Sequence, residues 1–325
     1  MHVIGDFINN FMFKLKNNNF KNLNFPRNLY EYDFIMNLPP KDWEKYLKKT
    51  YEIKLKKPLN LKNPKSYTEK IQWLKLYDNL PVKTDLTDKF KVREFVENKI
   101  GKEYLKPLLQ VCNNFDEVDF HYLPETFVLK CNHGCKWQFI IKNKKAYLEN
   151  EFLFKYTKRN LDIMIQKCYF GFGNFETQYI NIEPKLLVEE YLTDTDRDKI
   201  EPAKEIEVLC FNGEPKITET HRGLDAAEIS VYDENFNPVD LKYTSATKLL
   251  NEPVDTTIKQ AVELSKILAK DFKLVRVDWM IYKDKLYFNE LTFTPRAGFI
   301  IFPKGYEHWD KYLGKMINIT GEKHG

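Results

Sequence analysis

Two alternating runs near the C-terminus constrain this chain more than any other feature. Residues 273–282 read KLVRVDWMIY and residues 285–293 read KLYFNELTF, with a short polar turn between them. In the first run Val275, Val277, Trp279 and Ile281 alternate with Arg276, Asp278 and Met280, the period-two pattern of a strand with one buried face. Two such runs with so short a connection form an antiparallel ribbon. If Lys283-Asp284-Lys285 is the loop, Tyr282 pairs with Leu286, Asp278 stands opposite Glu290, and Arg276 stands opposite Thr292. Facing side chains have Cβ atoms roughly 4.5–5.5 Å apart, and like charges there repel. Two carboxylates so placed need a cation between them, a shared proton or a nearby arginine. An all-oxygen pair suits Mg²⁺, which is held by one or two carboxylates plus nucleotide phosphates. The alternatives are a solvent-facing ribbon that tolerates the charges, or a one-residue slip of register that separates them.

The rest of the chain mixes helices with strands, which predicts an α+β body. Helices are expected over 42–49, 66–78, 87–100, 149–168, 255–270 and near 306–316. In the second, Ser66 with Glu69 three residues on forms a capping box. In the third, Thr87 is the expected cap, which puts Lys89 in the first turn. TFVLKC (126–131) and WQFIIK (137–142) read as one hairpin, and KLLVEEYL (185–192) as a strand entering a polar loop. EIEVLCF and EPKITET flank Asn212-Gly213, the strongest short-range hairpin signal, because both residues tolerate the left-handed conformation of a type I′ turn.

Composition excludes several classes. The 325 residues include 24 Phe and 19 Tyr, too many for a disordered chain, and no run is apolar enough to span a membrane. No basic region precedes the first apolar stretch, so the chain reads as intracellular. The net charge is only +4, but residues 1–75 carry 15 basic against 7 acidic side chains. That basic front points to an anionic partner or to a solvated lysine-rich surface. Phe7, Ile8, Phe11, Met12 and Phe13 beside Lys14 and Lys16 have the composition of a membrane-surface segment, packing on the protein body being the alternative. Five scattered cysteines read as reduced thiols. Cys131-Asn132-His133-Gly134-Cys135 invites zinc, but without a second spaced Cys/His pair it reads as a turn.

Three further segments carry candidate chemistry. Lys130 closes an apolar strand just before Gly134, and a strand-end lysine beside a glycine turn can cradle phosphate. Lys89 is a second candidate cation. Glu189-Glu190-Tyr191-Leu192 ends a strand as an inter-lobe hinge would, although any strand entering a loop can look so. The sequence has no P-loop, dinucleotide-binding or nucleophile-elbow motif.

In order, Lys89, Lys130 with its glycine turn, the 189–192 hinge, Arg276-Val277-Asp278 and Glu290-Leu291-Thr292 resemble the ATP-grasp superfamily. More narrowly, NPKSYTEKIQWLKLYD, TDKFKVREFV, FVLKCNHG, VEEYL, FNGEPK and VRVDW…FNELTFTP resemble the TupA-like ATP-grasp family of bacterial surface-polysaccharide loci. The likeness covers roughly residues 40–315. It implies an ATP-grasp fold of two α+β lobes clamping a nucleotide, with a mainly helical N-terminal region. The corresponding divisions are residues 1–85, a helical basic region; 86–190, an N-lobe; and 191–325, a C-lobe with the metal site.

By the same resemblance Lys89 and Lys130 hold the phosphates of ATP and Gly134 lets the turn approach them. Glu189 takes the adenine amino group, the backbone of Glu190, Tyr191 and Leu192 the ring edge, and Glu205 the ribose. Asp278 and Glu290 bind Mg²⁺, with Thr292 where many relatives have Asn, a weaker ligand that puts a second magnesium in question. Arg276 stabilises the transferring phosphoryl group. From its position alone, just past Thr294-Pro295 near the metal strand, Arg296 can meet an anionic acceptor, a surface arginine being the alternative. The implied activity is an ATP-dependent carboxylate–amine ligase that makes an amide through an acyl phosphate. Its implied carboxylate is a uronic acid of a capsular or surface polysaccharide, or of a nucleotide-sugar precursor. Its partners are then that carboxylate and an amine, without nucleic acid, in the cytoplasm, with the basic N-terminus as a peripheral membrane contact. A glycan kinase and a non-catalytic binder of anionic surfaces are the competing classes.

Overall fold

The computed structural model describes residues 29–78, 80–172, 174–194, 201–202, 204–222 and 228–319. The apolar–basic stretch at 7–16, on which the membrane-contact expectation rests, lies outside them. The described residues divide into two compact units, each discontinuous in sequence. One takes residues 29–36, 107–172 and 183–191; the other takes 37–106, 174–182 and 192–319. Among the described residues no helix is long and apolar enough to cross a membrane.

The first unit is built on a four-stranded antiparallel sheet of β1 (Leu108–Cys112), β2 (Phe127–Cys131), β3 (Gln138–Ile141) and β4 (Leu186–Glu190), in the order β1-β4-β2-β3. The expected hairpin is β2 and β3. Leu186, Leu187 and Val188 are all fully buried, so β4 reads as a continuous apolar run rather than an alternating one. The helix expected over 149–168 is Glu151–Ile165, preceded by an unexpected short helix, Lys144–Glu149. Asn150 separates them because its side chain accepts from Leu153 N–H at 3.0 Å and caps the second.

The second unit holds a six-stranded sheet: β5 (Lys204–Phe211), β6 (Glu214–Arg222), β7 (Glu228–Asp233), β8 (Lys248–Leu249), β9 (Leu274–Tyr282) and β10 (Lys285–Thr292). The order is β8-β7-β6-β5-β9-β10. On one face Ile206, Val208, Val275, Val277 and Trp279 pack against Ile258, Ala261 and Leu268 of the helix Thr256–Ala269. Trp279 Nε1 donates to Ser265 Oγ at 2.8 Å and fixes that helix on the sheet. On the other face Leu209, Phe211, Ile217 and Leu274 meet Tyr67, Ile71 and Leu74 of the helix Tyr67–Tyr77. The capping box of that helix is closed in both directions, with Glu69 N–H on Ser66 Oγ at 3.3 Å and Ser66 N–H on Glu69 Oε2 at 3.0 Å.

Two local expectations are corrected. Thr87 does not start a helix. Pro81 begins a short one, Pro81–Thr87, and Thr87 ends it. The next helix is Val92–Ile100, and the turn before it is held by Asp88, whose carboxylate accepts from Phe90 N–H at 2.8 Å. Lys89 lies in the turn between the two helices. The C-terminal ribbon also closes differently: Tyr282 pairs with Lys285, not Leu286. The turn is the two residues Lys283 and Asp284, both left-handed at φ 49° and 58°, the backbone of a type I′ turn without its usual Asn-Gly. A bulge between Asp278 and Trp279 on one side and Phe288 and Glu290 on the other, with Asn289 as the extra residue, then returns the strands to the expected register. Asp278 therefore does stand opposite Glu290, and Arg276 opposite Thr292. In the other hairpin Asn212 and Gly213 take φ 51° and 83°, as their residue types require.

Candidate active site

Following the register sideways across the second unit's sheet produces a single row of acids. Glu290 on β10 faces Asp278 on β9, Asp278 faces Glu207 on β5, and Glu207 faces Glu219 on β6. Neighbouring strands lie about 4.7–4.9 Å apart, so four carboxylates share one face at sheet spacing. Nothing in apolar packing favours this; directly opposed like charges are destabilising.

Cations are threaded between the acids. Arg276, two residues along β9, donates from Nε and Nη2 to Asp278 at 2.7 and 2.6 Å, and its Nη1 lies 3.0 Å from Glu207 Oε2. Lys89 Nζ lies 3.1 Å from Glu290 Oε2. Thr292 Oγ1 is 3.2 Å from Asp278 Oδ2 and 3.5 Å from Glu290 Oε1, which joins the hydroxyl to both carboxylates. His221 approaches Glu207 and Glu219 from β6. Burial raises Asp278 to about 8 against the pull of Arg276, and burial together with Glu207 raises Glu219. Burial acts on Glu207 in the same sense, but Arg276 and His221 outweigh it and hold that carboxyl at about 2. Buried acids driven upward beside an arginine mark a row short of positive charge. A hard divalent ion with oxygen ligands meets that shortage, and Asp278, Glu290 and Thr292 offer only oxygen donors. The donor set fits magnesium.

Arg296 stands apart from the row but lines the same small cavity as Arg276, Glu207 and Glu219. Its guanidinium lies over the Tyr243 ring, 4.4 Å from the centroid. Arg296, Ala297 and Gly298 are left-handed in succession, at φ 52°, 51° and 65°. Two of the three are not glycine, a strained turn that its surroundings must impose. Buried Gln72 and Lys75 do so, donating to Gly298 O at 2.9 Å and Ala297 O at 2.7 Å. Glu205, at the start of β5, faces Met280 and His221. Leu192 is buried in this second unit.

The first unit brings Lys130 and Glu189 together. Glu189 on β4 faces Val128 on β2, which sets Lys130 diagonally across the same face. Their charged ends meet at 2.6 Å, both side chains under a tenth exposed. Glu190 N–H donates to Pro107 O at 3.1 Å, and Tyr191 is buried with its hydroxyl unpartnered. A side chain at Gly134 would run into the Trp137 indole, 2.4 Å from an added Cβ, so packing alone demands glycine there. His133 is occupied within the fold, with its ring nitrogens 3.0 Å from Asn132 Oδ1 and 3.1 Å from Lys167 O.

Sequence reasoning named the β9–β10 half of the row and missed Glu207, Glu219 and His221. The signal was the alternation Glu205, Glu207 and Glu219, His221 on either side of Asn212-Gly213. A second bulge, between Leu209 and Cys210, hides it, because an unbroken count from the turn pairs these residues one position out.

The sequence matches the TupA-like ATP-grasp family over residues 69–318. No curated protein matches it. Among solved structures it is similar to a D-alanine–D-alanine ligase from Bacillus anthracis complexed with ATP, at 14% identity over 71% of this chain and 63% of that one, with a TM-score of 0.38. It is also similar to the D-alanine–D-alanine ligase from Helicobacter pylori, at 12% identity over 77% and 69%, with a TM-score of 0.41. A third is the ATP-grasp ligase PsnB complexed with minimal precursor, Mg and ADP, at 13% identity over 73% and 59%, with a TM-score of 0.38. The chain spans 63% of the first ligase's length.

Proposed function

The chain belongs to the TupA-like ATP-grasp family and has that family's α+β fold, and on that basis we propose that it is an ATP-dependent carboxylate–amine ligase. The observation that carries the reading is Asp278 opposite Glu290, with Thr292 bonded to both and Lys89 and Arg276 at their edges. A carboxylate attacks the terminal phosphorus of ATP, ADP leaves, and an amine displaces phosphate from the acyl phosphate to give an amide.

In the second unit Asp278, Glu290 and Thr292 would hold Mg²⁺, which supplies charge neutralisation for phosphate oxygens. Lys89 and Arg276 are the fixed cations for the remaining negative charge, work done in such transfers by preorganised charges rather than by covalent chemistry. Leu192 and Glu205 would contact the nucleotide, and Arg296 would take the acceptor's carboxylate. In the first unit Lys130 and the Gly134 turn would meet phosphate, Glu189 the adenine amino group, and the backbone of Glu190 and Tyr191 the ring edge. Lys130 and Glu189 neutralise each other, so each is held in position before any ligand arrives.

The reading extends to a uronic acid of a capsular or surface polysaccharide, or its nucleotide-linked precursor, as the carboxylate, and to a cytoplasmic enzyme at the inner membrane face. The test is a panel of uronic-acid nucleotides crossed with amines and scored for ADP and phosphate. Release that needs both partners supports a ligase. A phosphoryl group retained on the sugar makes it a kinase, and indifference to ATP removes the enzyme.

A further inference from the structure

The row of acids has two ends, and the magnesium reading uses only one. At the other end Glu207, Glu219 and His221 converge, with one ligand atom from each lying within 4.8 Å of the others. His221 Nε2 is 3.5 Å from Glu207 Oε2 and 3.7 Å from Glu219 Oε2. Neither His221 Nε2 nor Glu219 Oε2 makes a hydrogen bond, although His221 is 7% and Glu219 3% exposed. At those lengths the three groups lie within ion-pair reach of one another without closing a hydrogen bond, a loose cluster of buried polar atoms that a bound ion would tighten.

We infer that Glu207, Glu219 and His221 form a second cation site, distinct from the Asp278–Glu290 pair, that takes a zinc-type divalent ion. Zinc binds imidazole nitrogen and carboxylate oxygen at about 2.0–2.2 Å, so adjacent ligand atoms of a tetrahedral site lie about 3.4 Å apart. The two distances from His221 are already near that edge length, and rotation of the Glu219 carboxylate closes the third. Glu207 also accepts from Arg276, but a carboxylate offers several lone pairs and can serve both. The imidazole separates this site from its neighbour: nitrogen favours zinc over magnesium, while the all-oxygen pair favours magnesium. Among the described residues, the cavity beside it is lined by Tyr67, Tyr243, Arg296 and Ile300 and adds no further Cys, His or acid. With no further ligand among the described residues, the fourth position is left to water or to an oxygen of a bound molecule.

The test is equilibrium dialysis of the chelator-stripped full chain against Zn²⁺ in millimolar Mg²⁺ without nucleotide. One tightly held equivalent is expected, weakened at least about tenfold in His221→Ala and Glu219→Gln and retained in Asp278→Asn. X-ray absorption of the zinc-loaded wild type reads the same site without a variant, one nitrogen and at least two oxygens being expected. Absence of a bound equivalent, binding that survives both variants, loss in Asp278→Asn, or a sulfur-containing shell would overturn the assignment.

Discussion

The two units handle buried charge in opposite ways. In the first, Lys130 and Glu189 form an ion pair almost out of solvent. In the second, Glu290, Asp278, Glu207 and Glu219 crowd one row, with Arg276 divided between two of them. A balanced pair is a finished structure, since removing one partner strands the other. An unbalanced row is unfinished, since removing one acid relieves its neighbours. The difference teaches where to expect stability to reside and where to expect chemistry.

The comparison breaks most visibly at Lys130. Lys130→Met removes the ion-pair partner of a buried carboxylate and should lower stability by about 3–5 kcal/mol. Lys130→Met with Glu189→Gln should recover most of that in denaturant melts. Equal loss in both variants would mean that packing, not charge balance, holds the first unit. Asp278→Asn should do the reverse in the second unit: turnover at saturating ATP falls on the order of 100-fold or more, with the melting temperature unchanged or raised. A large drop in melting temperature would show that the row is held together by its charges after all.

Imbalance in the second unit should also appear as pH dependence. Lys75 is buried among the carbonyls of Asn174 and Ala297 and the Gln72 side chain. Burial drives its ammonium down to about 7, with Glu176 pulling the other way. An ordinary lysine titrates near 10.4, so between about pH 7 and 10.4 the unfolded chain holds the proton that the folded chain has released. Stability therefore rises with pH across that window, by up to about 1.4 kcal/mol per unit. Unfolding free energies at pH 7, 8 and 9 should climb in the wild type and flatten in Lys75→Met. The smallest effect is expected at Thr292. Thr292→Asn adds a stronger oxygen ligand and should lower the half-saturating magnesium concentration by no more than about tenfold, and an increase would count against Thr292 as a ligand.

How much of this was legible in the sequence depends on what fixed the register. Ser66 with Glu69, and Asn212 with Gly213, are local signals whose chemistry is complete within a few residues, and both appear as read. Asp278 opposite Glu290 was found by counting from a three-residue loop that does not exist. A shorter turn and an extra residue at Asn289 offset each other, so the pairing is right and the reason for it was not. The Thr87 cap failed because Pro81 starts a helix that the apolar spacing after it does not announce. The row itself needed three strand pairings at once, one through a bulge. Such long-range register is written in packing and not in any window of the chain.

The extra residue at Asn289 has a consequence for how this protein tolerates change. Its side chain accepts from Lys106 Nζ at 2.7 Å, and as the extra residue of the bulge it has no facing partner on β9. Shortening the chain there by one residue would close the bulge into a regular ribbon in which Glu290 still stands opposite Asp278 and Thr292 opposite Arg276. This stretch therefore has slack in length at Asn289 and none at Glu290, where a lost codon removes the carboxylate itself.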